Sequence, residues 1–294
     1  MYNSIYKNIS VFIFLIVSFF IFPKQLFATH AAGGEITYQW ISGSTYRINF
    51  IFYRDCAGTS EPANVTLAYS SNCTPSFCST IVLNKAATSS SGALNGTEIS
   101  IGCPNSPSRC VSATSTIPGY REWVYTANVT LPSQCSIWKF YTCVNARNNA
   151  INNLVTPGNQ NLYVEATLNN LAAQGNSSPF FANKPTPYVC TGTPLNYSNV
   201  AIDPNNDSLV YEIIQPRTAN TATATCTTVP TNINFSSTIY NLTTNPLDCN
   251  NSFAFNPTNG QMSFTATNQQ VAALTARVRE YRNGVLIGTS IKLL

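Results

Sequence analysis

The chain has 294 residues, room for about two domains at ~150 residues each. Charged residues make up 9% of it and aromatic residues 12%, and the formal net charge of +4 falls to +2 once Lys7 and Lys24 leave with a leader. The aromatics and the small net charge exclude a disordered chain. So little charge also argues against a nucleic-acid partner, because it cannot hold a phosphate backbone by counterion release.

Lys7 gives the leader its positive start, and Ile9 to Phe22 is a run of about 14 mostly apolar residues. Leu26-Phe27-Ala28 then places a small residue at a cleavage point. The pattern predicts a secretory signal peptide over 1–28. A membrane anchor needs about 20 apolar residues, so no integral span is expected after cleavage. Ten cysteines against one histidine, His30, point to disulfides in an oxidising compartment. No Cys-x-x-Cys pair is present to seed a zinc site. Short loops favour Cys103 with Cys110, Cys73 with Cys78, and Cys226 with Cys249. Seven cysteines precede residue 180 and three follow it. Both counts are odd, so a bridge crosses between the halves, or each half keeps a free thiol, or the boundary lies elsewhere.

The mature chain reads as β throughout. Thr45 to Tyr53 alternates, with Tyr46, Ile48, Phe50 and Phe52 on one face and Arg47 and Asn49 on the other. Glu35 to Ile41 precedes it across a Ser42-Gly43-Ser44 turn, which predicts a hairpin. Strands are predicted at 65–69, 80–83, 122–130, 137–144 and 161–168, with Ser-, Asn-, Gly- and Pro-rich loops between them. A boundary falls near Asn176 to Pro187, where Pro185 and Pro187 favour an extended connector. Further strands are predicted at 195–197, 209–214, 252–255, 262–267, 274–281 and 285–291. Asn259-Gly260 and Asn283-Gly284 are hairpin turns, since both residue types accept positive φ. Thr218 to Thr231, rich in Thr and Ala, reads as an exposed loop. The fold class is all-β: two consecutive β-sandwich domains, a disulfide-rich one over 29–180 and a second over 181–294.

Two segments carry a family resemblance. His30-Ala31-Ala32-Gly33-Gly34-Glu35, followed by Tyr46-Arg47-Ile48 and Tyr53-Arg54-Asp55-Cys56, resembles the opening of large secreted Bacteroidetes proteins of the gliding-motility-associated, type IX secretion group. Ala201-Ile202-Asp203-Pro204-Asn205-Asn206-Asp207-Ser208-Leu209-Val210-Tyr211, with Asn259-Gly260-Gln261-Met262 and Val278 to Gly284, looks like a cadherin-like or Ig-like repeat of the same proteins. The resemblance implies export and a cell-surface setting. Such proteins usually carry a C-terminal sorting domain, and nothing before Leu294 resembles one. A chain truncated before that domain is expected to stay in the periplasm; otherwise the expected place is the surface or the medium.

Asp203, Asn205 and Asp207 offer oxygen donors at alternate positions, a pattern that suits calcium. The resemblance implies a loop that is often Asp-Pro-Asp-Gly-Asp, so here Asn205 replaces a charged ligand and Asn206 the turn glycine. The lost charge favours the other reading, an Asx-rich turn capped by its own side chains. His30 beside a new N-terminal amine suggests copper, but a copper brace needs a second histidine and the sequence has none. Tyr53-Arg54-Asp55-Cys56 reads as architectural: an Arg54–Asp55 ion pair at a strand end with Cys56 as a staple. Arg279-Glu280-Tyr281-Arg282 reads as a solvated strand face. Trp40, Trp123 and Trp138, if exposed, would suit stacking on sugar rings; burial in the core is the favoured expectation, because Trp123 and Trp138 lie within strands.

Nucleophilic catalysis needs a positioned base, usually His, and the chain has only His30. The function predicted is therefore a non-enzymatic, exported structural or adhesion module of the gliding-motility setting, needing no cofactor. Its expected partner is an extracellular glycan or a surface protein. The alternative is a carbohydrate-binding module or, less favoured, a carbohydrate-cleaving one with two facing carboxylates.

Overall fold

The computed structural model describes residues 31–99, 107–185 and 188–293. The leader expected over 1–28, His30 and Cys103 lie outside the described residues. The chain first forms β1 (Ala31–Ser42), β2 (Thr45–Asp55), β3 (Asn64–Ser71), β4 (Phe77–Lys85), β5 (Tyr120–Thr130), β6 (Trp138–Val144) and β7 (Leu162–Leu168). Shorter strands follow: β8 (Phe180–Phe181), β9 (Pro194–Ser198), β10 (Ala201–Ile202), β11 (Ser208–Ile214), β12 (Arg217–Ala219), β13 (Pro230–Asn232), β14 (Ala254–Phe255) and β15 (Gln261–Thr265). Two long strands, β16 (Thr275–Arg282) and β17 (Val285–Leu293), complete the set. The fold is all-β, and no helix among the described residues is long and apolar enough to cross a membrane.

Ten strands hydrogen-bond in the order β1-β2-β5-β4-β3-β6-β7-β17-β16-β11, and a β1–β17 pairing closes the first eight on themselves. Within that closed sheet β1, β2 and β5 pack their inner side chains against those of β3, β6 and β7, as in a sandwich. β4 and β5 join the two sides at one corner through only two register pairs, Asn84↔Thr126 and Lys85↔Tyr125. β17 runs across the opposite corner. Its Gly288, Thr289 and Ser290 pair with β7, and its Lys292 and Leu293 pair with β1. Hydrogen bonding therefore crosses the boundary expected near residue 180. β16 and β11 continue the sheet beyond β17, while β14, β15 and β9 form a separate three-stranded layer.

The alternation read from the sequence decides which side chains meet. Tyr46, Ile48, Phe50 and Phe52 of β2 are buried against Leu67, Trp138, Phe140, Val164 and Leu293. Trp138 is fully enclosed. Each such side chain contributes about 1.5–3 kcal/mol by leaving water. From Ile51 onward β2 is buried on both faces, because Ile51 and Tyr53 meet Ile99 and Val124. Asn283 and Gly284 take φ of 51° and 77°, as a tight hairpin turn between β16 and β17 requires.

The Gly-Gly-Glu stretch has a structural cause. Where β1 passes β17, a side chain on Gly33 would run into the Leu293 carbonyl oxygen, and a Cβ on Gly34 would sit 2.9 Å from the Ile51 carbonyl oxygen. Glu35 then faces Lys292 across the strands.

Among the described residues three bonds replace the expected short-loop disulfides: Cys56–Cys110, Cys73–Cys135 and Cys78–Cys226. Cys103–Cys110, Cys73–Cys78 and Cys226–Cys249 are thus corrected, since Cys110, Cys73, Cys78 and Cys226 have other partners and Cys249 is a buried free thiol. Strand faces decide the pairing. Cys73 and Cys135 belong to the sandwich core. Cys78 stands opposite Ser70, two residues from Ala68 of the outer cluster, and so meets Cys226 outside the sandwich. One bridge does cross between the halves.

Within the stretch read as an exposed loop, Thr218 to Thr231, residues 220–229 do form a loop and many are exposed, but the ends pair as strands and two alanines are buried. β12 and β13 form a hairpin that packs Ala219 and Ala224 on Tyr141 and Tyr163. Those two rings, on the outer face of β6 and β7, need a cover, and small side chains let the hairpin approach. Tyr141 donates to the Thr225 carbonyl at 3.1 Å, and Arg217 pairs with Glu165 at 2.7 Å.

Candidate functional site

The turn between β10 and β11 is built by its own side chains. Asp203 Oδ1 accepts from the N–H groups of Asn205 and Asp207 at 2.8 and 2.9 Å. Asn206 takes φ 61°, where the left-handed region tolerates Asn. Asn205 Oδ1 accepts from Ser177 N–H at 2.9 Å and so ties the turn to the connector. Asp207 holds Arg282 through both oxygens, with Nε at 2.8 Å and Nη2 at 2.6 Å.

The structure adds a residue that the sequence reading placed in solvent. Glu280 is 0% exposed, which corrects the solvated-face expectation at that position, while Arg279, Tyr281 and Arg282 stay partly exposed. One oxygen each from Asp203, Asp207 and Glu280 lie within 4.8 Å of one another. Asn176 bridges the group, donating to Glu280 Oε1 at 2.7 Å and accepting from Arg282 Nη2 at 2.7 Å. Asp203 Oδ2 and Glu280 Oε2 are both buried, and a hydrogen bond between the two carboxyls requires a proton on one of them. Burial, with Asp203 and Asp207 adding to it, holds the Glu280 carboxyl well above the ordinary carboxylate range. A proton there removes one of three crowded negative charges. Calcium takes six to eight oxygen ligands. Here Asp207 is engaged by Arg282. Two of the three expected ligands, Asp203 and Asp207, come together with Glu280 as a carboxylate group of the kind that can hold a cation, while Asn205 is turned away to Ser177; the same side chains build the turn.

A second site lies between the layers. A cleft of about 520 Å³ separates the β1–β2 side from the β9–β15 sheet. Tyr53 and Tyr120 line one wall, and Tyr197, Met262 and Phe264 the other. Behind the tyrosines sits a buried ionic group. Tyr53 donates to Glu35 Oε1 at 2.9 Å. Tyr197 donates to the Lys184 carbonyl at 2.9 Å and accepts from Lys292 Nζ at 3.2 Å. Glu122 Oε1 accepts from Ser90 N–H and Oγ–H at 2.7 and 2.6 Å. Lys184 Nζ approaches Glu122 Oε2 at 3.1 Å without the alignment of a hydrogen bond. Burial raises the Glu35 carboxyl and lowers the Lys292 ammonium to about 8. These groups brace the wall rather than line the cleft.

Arg54 donates to the carbonyls of Thr59 and Gly58 at 2.6 and 2.8 Å, and Asp55 accepts from Ala57 N–H and Asn148 Nδ2 at 2.8 and 2.9 Å. The two do not form the expected ion pair; each clamps the turn around Cys56 instead, because neighbouring side chains leave a strand on opposite faces. Trp123 is half-buried beneath Lys85, whose Nζ lies 4.4 Å from the ring centre. Trp40 is 41% exposed at the end of β1. Fold and sites together define a disulfide-stapled all-β protein whose buried charges brace its layers. No family model, curated protein or solved structure matches the chain.

Proposed function

We propose that the chain is a non-enzymatic, exported structural or adhesion module of the gliding-motility setting, working at the cell surface or in the medium as a rigid spacer. The observation that carries this reading is the Cys78–Cys226 bridge, which spans 148 residues and ties the covering hairpin to the outer face of the sandwich. Such bonds persist in oxidising compartments. The leader and the His30 to Glu35 stretch support export and the motility setting. The buried ionisable groups Glu35, Glu122 and Lys292 engage internal partners, as bracing groups do. The test is fractionation of cells expressing the natural gene, with protease shaving and a gliding assay on the deletion strain. Surface or secreted product and impaired spreading are expected. A cytoplasmic, fully reduced product would contradict the reading.

A second reading, a carbohydrate-binding module, rests on Trp40. Its exposed indole is fixed by Nε1 donating to the Gly43 carbonyl at 3.0 Å and packs on Gly175. Glycan-array binding lost in Trp40→Ala would support it.

A further inference from the structure

We infer that the cleft between the β1–β2 side and the β9–β15 sheet binds one uncharged, predominantly apolar molecule. This goes beyond the scaffold reading and does not depend on it. Its size, about 520 Å³, falls in the range of small-molecule sites.

Charge fixes the class of occupant first. Among the described residues, none that lines the cleft is Asp, Glu, Lys, Arg or His. The nearby Glu35, Glu122 and Lys292 are buried and lie behind the tyrosines. An ionic group drawn inside would lose its water and meet no counter-charge, which costs several kcal/mol.

Hydrogen bonding narrows the class again. Several of the polar groups at the cleft already engage the protein itself. Tyr53 and Tyr197 donate to Glu35 and to the Lys184 carbonyl, and Tyr188 donates to the Pro118 carbonyl. Around the rim, Asn152 accepts from Val271 N–H, Asn268 donates to Asp248, and Gln270 uses both ends of its amide on Asp248 backbone groups. A glycan would leave many hydroxyls unpaired, at about 1–3 kcal/mol for each one buried. An apolar chain or ring system carries no such cost. The hydroxyl bonds hold the tyrosine rings in place, so the walls are set before a ligand arrives and little ordering is needed on binding.

The experiment uses the exported chain with its disulfides formed. The neutral dye Nile red is titrated by fluorescence and competed with 1-dodecanol and, separately, with cellotetraose. Saturable binding of one dye per chain is expected, displaced by dodecanol and not by cellotetraose. Thr191→Trp and Gln269→Trp fill the cleft from exposed rim positions and are expected to weaken the dye by roughly tenfold or more. Trp40→Ala, remote from the lining residues, is expected to leave it unchanged. Absence of saturable binding overturns the inference. So does dye binding untouched by both rim variants, displacement by cellotetraose alone, or loss only in Trp40→Ala. The scaffold reading survives all of these outcomes, since it stands on localisation.

Discussion

The sandwich and the layer built from 181–274 reach order by different means. In the sandwich, long strands close on a continuous core that includes Tyr38, Phe50, Trp138 and Phe140. In the later layer, the strands run two to seven residues and the core is small, centred on Tyr197, Leu247, Phe253, Met262 and Phe264. There the loops hold themselves. Asn241 accepts from Thr243 and Thr244 N–H groups, Asn245 from Cys249 and Asn251, and Asp248 gathers Thr267 and Asn268. Apolar burial carries the first region; polar turn chemistry and a cross-link to the first region carry the second.

The sharpest way to break the contrast is the cross-link. A chain-entropy account of the 148-residue loop closed by Cys78–Cys226 gives about 4–5 kcal/mol. Replacing both cysteines with Ser is expected to lower stability by that order in chemical denaturation. Amide exchange should accelerate first in 217–232, where the hairpin loses its staple. Uniform acceleration through β2 and β6 would show that the regions are not distinct.

Core truncation comes next. Phe50→Ala is expected to cost about 3–5 kcal/mol, because Phe50 is enclosed on all sides. Phe264→Ala is expected at or below the low end of that range. Phe264 borders the cleft, so its removal enlarges an open space rather than creating a sealed one. Equal losses in urea titrations would remove the distinction.

The pH profile probes the seam between the regions, where Asp203, Asp207, Arg282 and Tyr38 surround Glu280. Its carboxyl is raised in the folded state, so the folded protein keeps a proton that the unfolded chain has lost. That contribution is complete below the unfolded carboxylate value of about 4.3 and is lost as pH rises through the folded one. Wild type should therefore lose stability from about pH 4.5 to neutral more steeply than Glu280→Gln. Parallel profiles would contradict a held proton. The smallest effect is expected from Asn241→Ala, about 1 kcal/mol for a turn held by two backbone N–H bonds. A loss above that of Phe264→Ala would reverse the ranking within the second region.

Much of the fold is legible from period-two patterning, because alternation in β2 and β5 directly states which side chains face inward. The Asx turn at Asp203 is legible for the same local reason. What escapes the sequence is non-local. Glu280 looks like one charge in a polar strand, and only the arrival of Asn176 and Asp203 buries it. The Thr- and Ala-rich hairpin looks like a loop because its small side chains matter only under Tyr141 and Tyr163. Disulfide pairing depends on which face each cysteine leaves, and spacing along the chain carries no record of that.

The most direct test of the account is disulfide mapping by mass spectrometry on the natural exported protein, alkylated before reduction. The account predicts linked peptides for Cys56–Cys110, Cys73–Cys135 and Cys78–Cys226, with Cys143 and Cys249 as free thiols shielded until unfolding. Peptides joining Cys73 to Cys78 or Cys226 to Cys249, or a protein with every thiol reactive, would contradict it.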